Sequence, residues 1–387
     1  MQSQRAYLAA IGDVNSPVTW SGIPYHFLRV AKTQGLLDEG LCLSAEGWNW
    51  RARRIIWNLG RPFLINRTGG FQYSSNFLDD LWTPAQTLIR DNLVFNCFQL
   101  YPPSVVKDSG IEKWFFIDQT LLQLFDVYGI RRSIGQRIAN DALKREREGY
   151  HSASGIIVHS RWAAESVIGE YGIPAHKVHV VQPGANIEPD HYERWEETQA
   201  RKREIGAETD KPLRLVFVGK DWRRKGLDRL LRAVDIARRS GLKATLKIIG
   251  CRREDLPNDL QNVIGVDWLG FIDKRSQLQH FLETVSECDV GCLPSRAEAG
   301  GIALREYHAL GLIALGTDAG GAPEHMVKEA SITVPADASD EEFATLLLNL
   351  ESDSSKLATL RAIAWKVRRS VLWNQSVQEI IRIRRSM

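Results

Sequence analysis

Cysteine is scarce. Five residues in 387 (Cys42, Cys97, Cys251, Cys288, Cys292) are scattered, odd in number and without metal-ligand spacing. That excludes a disulfide framework and a clustered-thiol metal site, and it suits a reducing, cytoplasmic setting. Long apolar runs are missing too. The longest candidate, residues 309–316, is short and interrupted by glycines, well below the roughly 18 residues of a membrane span. The N-terminus lacks a basic start followed by an apolar stretch, so no signal peptide is expected. Excess charge of either sign is absent. Fifty Lys and Arg against 47 Asp and Glu leave +3, too little for a general polyanion binder, so no nucleic-acid partner is expected. No Gly-x-Gly-x-x-Gly follows the first strand-like segment, which argues against a dinucleotide-dependent oxidoreductase.

What is present is ordinary in amount and informative in order. Hydrophobic residues make up 44% and charged residues 25%, as in soluble globular proteins. At roughly 150 residues per domain the length suggests two domains. Short apolar runs alternate with helical patterns from end to end, the grammar of α/β units with parallel sheets. The first half predicts strands at Tyr7–Ile11, Leu93–Phe98, Trp114–Ile117, Gly155–Val158 and Val178–Val181, with helices at 23–33 and 161–171. The stretch 187–212 is highly charged and reads as a linker or a solvated helix between domains. The second half restarts with strands at Leu213–Val218, Thr245–Ile249, Val290–Leu293, Leu312–Leu315 and Ile332–Val334, separated by helices. The expected architecture is two Rossmann-like domains facing across a cleft, 1–190 (with 371–387) and 210–370, with ligands outside the carboxyl ends of the strands.

Three loops at such ends carry chemistry. Gly219-Lys220-Asp221-Trp222-Arg223-Arg224-Lys225-Gly226 crowds cations onto a turn that opens a helix, an anion site suited to phosphate. A solvated basic turn is the bland alternative. Pro294-Ser295-Arg296-Ala297-Glu298-Ala299-Gly300-Gly301 follows a strand and leads through Ile302 into a helix carrying Glu306. The glycines allow a phosphate close to the backbone, and a carboxylate a turn into the helix suits the vicinal diol of a ribose. Surface ion pairs with Arg296 or Arg305 are the alternative. The third loop, Thr317–Glu324, pairs Gly320 with Gly321.

These segments, FVGKDWRRKGLDRLLRAV, WLGFIDKRSQL, CDVGCLPSRAEAGGIALREYHALG and GTDAGGAPE, resemble the donor domain of the retaining GT-B glycosyltransferases, in particular glycosyltransferase family four. The Glu-x7-Glu pair, Glu298 and Glu306, stands in that family's frame. The first half adds SGIPYHFL and SGIIVHSRWAAESVIGEYGIPAHKVHVVQPGAN, and VLWNQSVQEIIRIRRS is similar to the last helix of the fold, which crosses back to the N-terminal domain. The resemblance implies an N-terminal acceptor domain, a C-terminal donor domain and retaining transfer of a sugar from a UDP- or GDP-sugar to a hydroxyl of a glycan or glycolipid. It implies that Gly219, Lys220 and Lys225 serve the nucleotide diphosphate and that Glu298 contacts the donor sugar. Gly300, Gly301 and Ile302 would line the diphosphate and sugar. Glu306 would hold the ribose, Phe271 would lie near the base, Gly22 would close on the diphosphate and Asn186 would line the cleft. No Asp-x-Asp occurs, which fits a donor site needing neither metal nor cofactor.

Asp118 stands where many members place a histidine, as an acid–base or hydrogen-bonding group or as a helix N-cap; His151 and His159 are lesser candidates. Glycine 47 to arginine 61, GWNWRARRIIWNLGR, sets Trp48, Ala52, Ile55, Ile56 and Leu59 on one helical face. Trp50 and Trp57 would flank it, and Arg51, Arg53, Arg54 and Arg61 add positive charge. This pattern fits either an anionic membrane surface or ordinary core packing. Two further readings keep the fold and change the role: a nucleotide-sugar epimerase, and a non-catalytic nucleotide-sugar-binding partner of another transferase.

Overall fold

The computed structural model describes residues 4–44, 48–65, 69–204 and 212–387. The chain divides into two compact units, Met1–Gln182 with Ser376–Met387, and Pro183–Gln375.

The first unit is built on a six-stranded parallel sheet: β1 Ala6–Ile11, β2 Glu39–Leu43, β3 Leu93–Asn96, β4 Glu112–Ile117, β5 Gly155–Val158 and β6 Val178–Val180, in the order β2-β1-β3-β4-β5-β6. Every residue of β3 and β5 is buried, as expected of strands covered by helices on both faces. The expected 161–171 helix is α-helical only over Arg161–Glu165 and continues as a π turn over Ser166–Glu170. The unit ends with the helix Trp373–Ser386, from residue 376 onward. There Ser376 Oγ donates to Gln182 O at 2.7 Å and Arg384 pairs with Glu112 at 3.5 Å.

The second unit repeats the plan: β7 Leu213–Val218, β8 Ala244–Ile249, β9 Val266–Gly270, β10 Val290–Leu293, β11 Ile313–Thr317 and β12 Ser331–Val334, all parallel, in the order β12-β11-β10-β7-β8-β9. Of the two readings of the charged stretch, a linker or a solvated helix between domains, the structure shows a helix, Pro189–Glu204, which belongs to this unit. Tyr192 and Trp195 are buried a turn apart, and Trp195 Nε1 donates to Ser286 Oγ at 3.1 Å. Glu196 is held by Arg368 and Arg369, whose hydrogen bonds and charge keep its carboxyl below the usual range. The mostly polar composition hides these few anchors. The unit also takes in residues 183–187: Ala185 N donates to Val371 O at 2.8 Å and Arg305 Nε donates to Pro183 O at 3.0 Å.

The arginine- and tryptophan-rich segment is helical over Trp48–Ile65. Glycine 47 and the side chains of tryptophan 48 and arginine 61 lie outside the described residues. Trp50 packs edge-on against Phe71 and Phe77, and Trp57 lies against Phe71 while its Nε1 donates to Gly69 O at 3.0 Å. The two rings thus turn inward onto the 71–77 turn, which offers them aromatic partners, rather than flanking an outer face. Among the described residues no helix is long and apolar enough to cross a membrane.

Candidate functional site

In the second sheet the chain lays β8 and β9 to one side of β7 and then returns to place β10, β11 and β12 on the other. The direction reverses between β7 and β10. Loops leaving the carboxyl ends of two such strands part from each other and open a crevice, where ligands of parallel sheets bind. The loop after β7 holds Gly219–Gly226, and the loop after β10 holds Pro294–Gly301.

The two loops interlock. Arg296 N donates to Arg224 O at 2.8 Å, and the Arg296 guanidinium reaches Arg223 O at 2.6 Å and Asp228 at 2.7 and 2.8 Å. Gly226, at φ 73°, sits so close that a Cβ would run into the Pro294 carbonyl. Gly219 makes room for its neighbour: a Cβ there would lie 2.5 Å from Lys225 Cδ.

Glu298 is the hub of the crevice. Its Oε2 lies 3.5 Å from Lys225 Nζ and 3.3 Å from Arg224 Nη1, and accepts from Ser295 Oγ at 3.3 Å. Its Oε1 accepts from Gly301 N at 3.2 Å. Burial pushes this carboxyl up, but Lys225, Arg224 and the Gly301 N–H together outweigh it and hold the pKa at about 2. Gly301, at φ 47°, caps the helix Ile302–Ala309. The opening N–H groups of a helix have no partner within it and carry partial positive charge, which adds to that of the lysines. His325, fully buried nearby, is neutral: burial first, then Arg305, lowers its pKa to about 3.

Glu306 is only 2% exposed, and its Oε1 accepts from Lys274 Nζ at 2.6 Å. Neither arginine of the alternative reading takes it: Arg296 is bound to Asp228, and Arg305 donates to Pro183 O. Lys274 opens the helix Lys274–Ser286, and its ammonium lies 4.1 Å from the Phe281 ring centroid. Lys220 and Phe271, singled out from different segments, meet directly: the Lys220 ammonium lies 4.3 Å from the centroid of the exposed Phe271 ring. Gly300 is buried and Ile302 half-buried beside Gly301. The arrangement places mobile and fixed positive charge next to two buried carboxylates, which suits an anionic ligand that also carries hydroxyls.

Three further expected site residues lie outside these two loops. Asn186, in the second unit, accepts from Trp373 Nε1 at 2.9 Å. Asp118 and Gly22 belong to the first unit. Asp118 follows β4 and is half-buried. It is not the helix cap: Thr120 caps the helix Leu121–Val127, accepting from Gln123 N at 3.2 Å in a reciprocal capping box. Gly22 caps the helix Ile23–Thr33 at φ 86°, and the two residues before it, Trp20 (φ 41°) and Ser21 (φ 56°), are also left-handed. The left-handed backbone is costly at Trp20 and Ser21, which carry a Cβ, and not at Gly22. The Trp20 ring stacks on His159, the residue after β5, at 5.9 Å and 17°. Arg224, Ser295 and Lys274 received no role from sequence reasoning. Arg224 was visible as one of four cations in its turn, whereas nothing in one dimension pairs Lys274 with Glu306.

Residues 198–366 match the family model described as glycosyl transferases group 1. Over those residues the chain is similar to this family. The glycosyl transferase segment covers the β7 and β10 loops, Lys274 and Glu306. A D-inositol 3-phosphate glycosyltransferase from Catenulispora acidiphila is 24% identical over 249 residues, 61% of this chain and 58% of that relative's length. Among solved structures, HepE of Anabaena in complex with UDP aligns with a TM-score of 0.63 at 17% identity, covering 99% of this chain and 100% of that one. WaaG, a glycosyltransferase involved in lipopolysaccharide biosynthesis, aligns at 0.63 and 16%, covering 97% and 98%. Sucrose-phosphate synthase from Thermosynechococcus elongatus aligns at 0.67 and 14%, covering 99% of each chain. At these identities the likeness speaks for the fold, which is GT-B with two Rossmann-like domains.

Proposed function

We propose that this glycosyl transferase moves a hexosyl unit from a UDP- or GDP-sugar to a hydroxyl of a glycan or glycolipid, with retention of configuration and without a metal. The observation that carries this reading is the cluster of Lys225, Arg224 and the Gly301 N–H around Glu298 at the strand-order reversal. HepE, which shares the fold, was solved with UDP and with UDP-glucose.

Breaking the anomeric bond leaves charge on the departing diphosphate. Lys225 and Lys220 supply full positive charge, and the start of the Ile302–Ala309 helix, beside Gly300, supplies fixed dipoles. Groups already in place stabilise developing charge without reorganising. Glu298, ionised throughout the neutral range, accepts hydrogen bonds from donor-sugar hydroxyls. Glu306, held in place by Lys274, accepts from the ribose diol, and Phe271 offers a ring face to the base. In the first unit, Gly22 serves the diphosphate and Asp118 the reacting sugar or the acceptor.

Nucleotide-sugar epimerisation needs a base poised at the sugar ring, and a carboxylate held near 2 is a weak one. The test is a panel of UDP- and GDP-sugars followed by thermal shift and by release of nucleoside diphosphate, with and without saccharide acceptors. Acceptor-dependent release supports transfer. Binding with no release on any acceptor points to a non-catalytic partner, and epimer formation without acceptor points to the isomerase.

A further inference from the structure

The Trp48–Ile65 helix leaves three large aliphatic side chains bare. Ile55 is 54% exposed, Ile56 69% and Leu59 63%. On a helix these positions share one stripe, and Trp50 and Trp57 fall on the opposite side. The aromatic side is the seated one, against Phe71 and Phe77. Arg53 is tied down by Asp80 of the helix Ser75–Ile89, whereas Arg51 and Arg54 are exposed. The helix sequence WNWRARRIIWNLGRPFLI holds four arginines and no acidic residue. A contiguous aliphatic stripe on a folded surface marks an interaction site, and the one-signed charge along the same helix selects the partner. A protein groove would have to supply carboxylates in register. An anionic bilayer supplies diffuse negative charge beside an apolar interior.

We propose that this helix lies in the plane of an anionic lipid surface. The Ile55, Ile56 and Leu59 side chains enter the acyl boundary, and Arg51, one turn before Ile55, meets the phosphate headgroups. The tryptophans are not the anchors: they fasten the helix to its own unit so that the aliphatic stripe faces out. The inference is independent of the donor site, and it suits an acceptor carried on a lipid.

The test is flotation of the full chain with phosphatidylcholine vesicles, with and without phosphatidylglycerol, in low and high salt. The wild type should float with the anionic vesicles, stay down with phosphatidylcholine alone and be partly released by salt. The double variant Ile56→Glu with Leu59→Glu should lose binding at least about tenfold while its near-UV circular dichroism and melting temperature match the wild type. Failure of the wild type to float, equal flotation of the double variant, or equal binding to uncharged vesicles would overturn the proposal. So would lipid-free self-association of the wild type that the double variant abolishes, which would make the stripe a contact between copies of the chain.

Discussion

Lys274 Nζ lies 2.6 Å from Glu306 Oε1, joining the turn after β9 to the helix after β10 through a carboxylate that is almost wholly buried. The lysine fixes the carboxylate that is proposed to face the ribose. Lys274→Ala should therefore weaken donor binding about tenfold, the scale of one hydrogen bond to a charged group, and leave kcat nearly unchanged. Isothermal titration with the nucleoside diphosphate and a KM-against-kcat comparison check it. A fall confined to kcat would contradict the assignment.

Lys225 is proposed to act later, when the diphosphate leaves. Lys225→Ala should cut transfer at least about a hundredfold, corresponding to roughly 2–4 kcal/mol of transition-state stabilisation, with the fold intact by circular dichroism. Turnover close to wild type would remove this residue from the mechanism.

Gly226 admits no side chain, because a Cβ would collide with the Pro294 carbonyl and its φ is 73°. Gly226→Ala should force the β7 and β10 loops apart and separate Lys225 from Glu298. A loss of about 1–3 kcal/mol of stability is expected, with activity falling further than stability alone explains. Chemical denaturation and assay of the same preparation give both numbers.

Two buried carboxyls move stability with pH in opposite directions. Glu298, held at about 2 although burial opposes it, gives stability that is present above the unfolded value of 4.5 and lost as pH falls through about 2. Glu146 is fully buried and accepts from Leu121 N at 2.8 Å, from Tyr150 OH at 2.6 Å and from Tyr171 OH. Burial outweighs these donors and raises its pKa to about 8. Its contribution is complete below 4.5 and disappears as pH rises through about 8. Melting temperature should decline as pH rises from about 4.5 to about 8 and level off above that, and Glu146→Gln should flatten that decline. An identical pH profile in the variant would refute this role.

Ser21 and Gly22 test the strained turn. Gly22→Ala, at φ 86°, should cost about 1–2 kcal/mol. Ser21→Gly should be neutral to stabilising, because glycine adopts a φ of 56° without penalty. Equilibrium unfolding of the two variants measures the difference, and a neutral Gly22→Ala beside a destabilising Ser21→Gly would show that the turn is not strained.

Interior strands were legible because parallel strands covered on both faces read as unbroken apolar runs; Leu93–Asn96 and Val290–Leu293 are examples. Two strands escaped notice, Glu39–Leu43 and Val266–Gly270. Both lie at sheet edges with a single neighbour, and their exposed alternate residues dilute the signal. The Lys225 and Glu298 loops announced themselves by charge and glycine at strand ends. The Lys274–Glu306 pair did not, because it depends on how two elements 32 residues apart are laid side by side. The packing of the Pro189–Glu204 helix was hidden for a related reason: two aromatic anchors and one buried glutamate decide where it packs, and its other described side chains are exposed or half-buried.

Glu298 has each oxygen already engaged, one by a backbone amide and the other by two cations and a hydroxyl. A group so firmly committed to its anionic form has almost no thirst for hydrogen ions. In the proposed reaction, whatever relieves the attacking alcohol of its proton is a group other than Glu298.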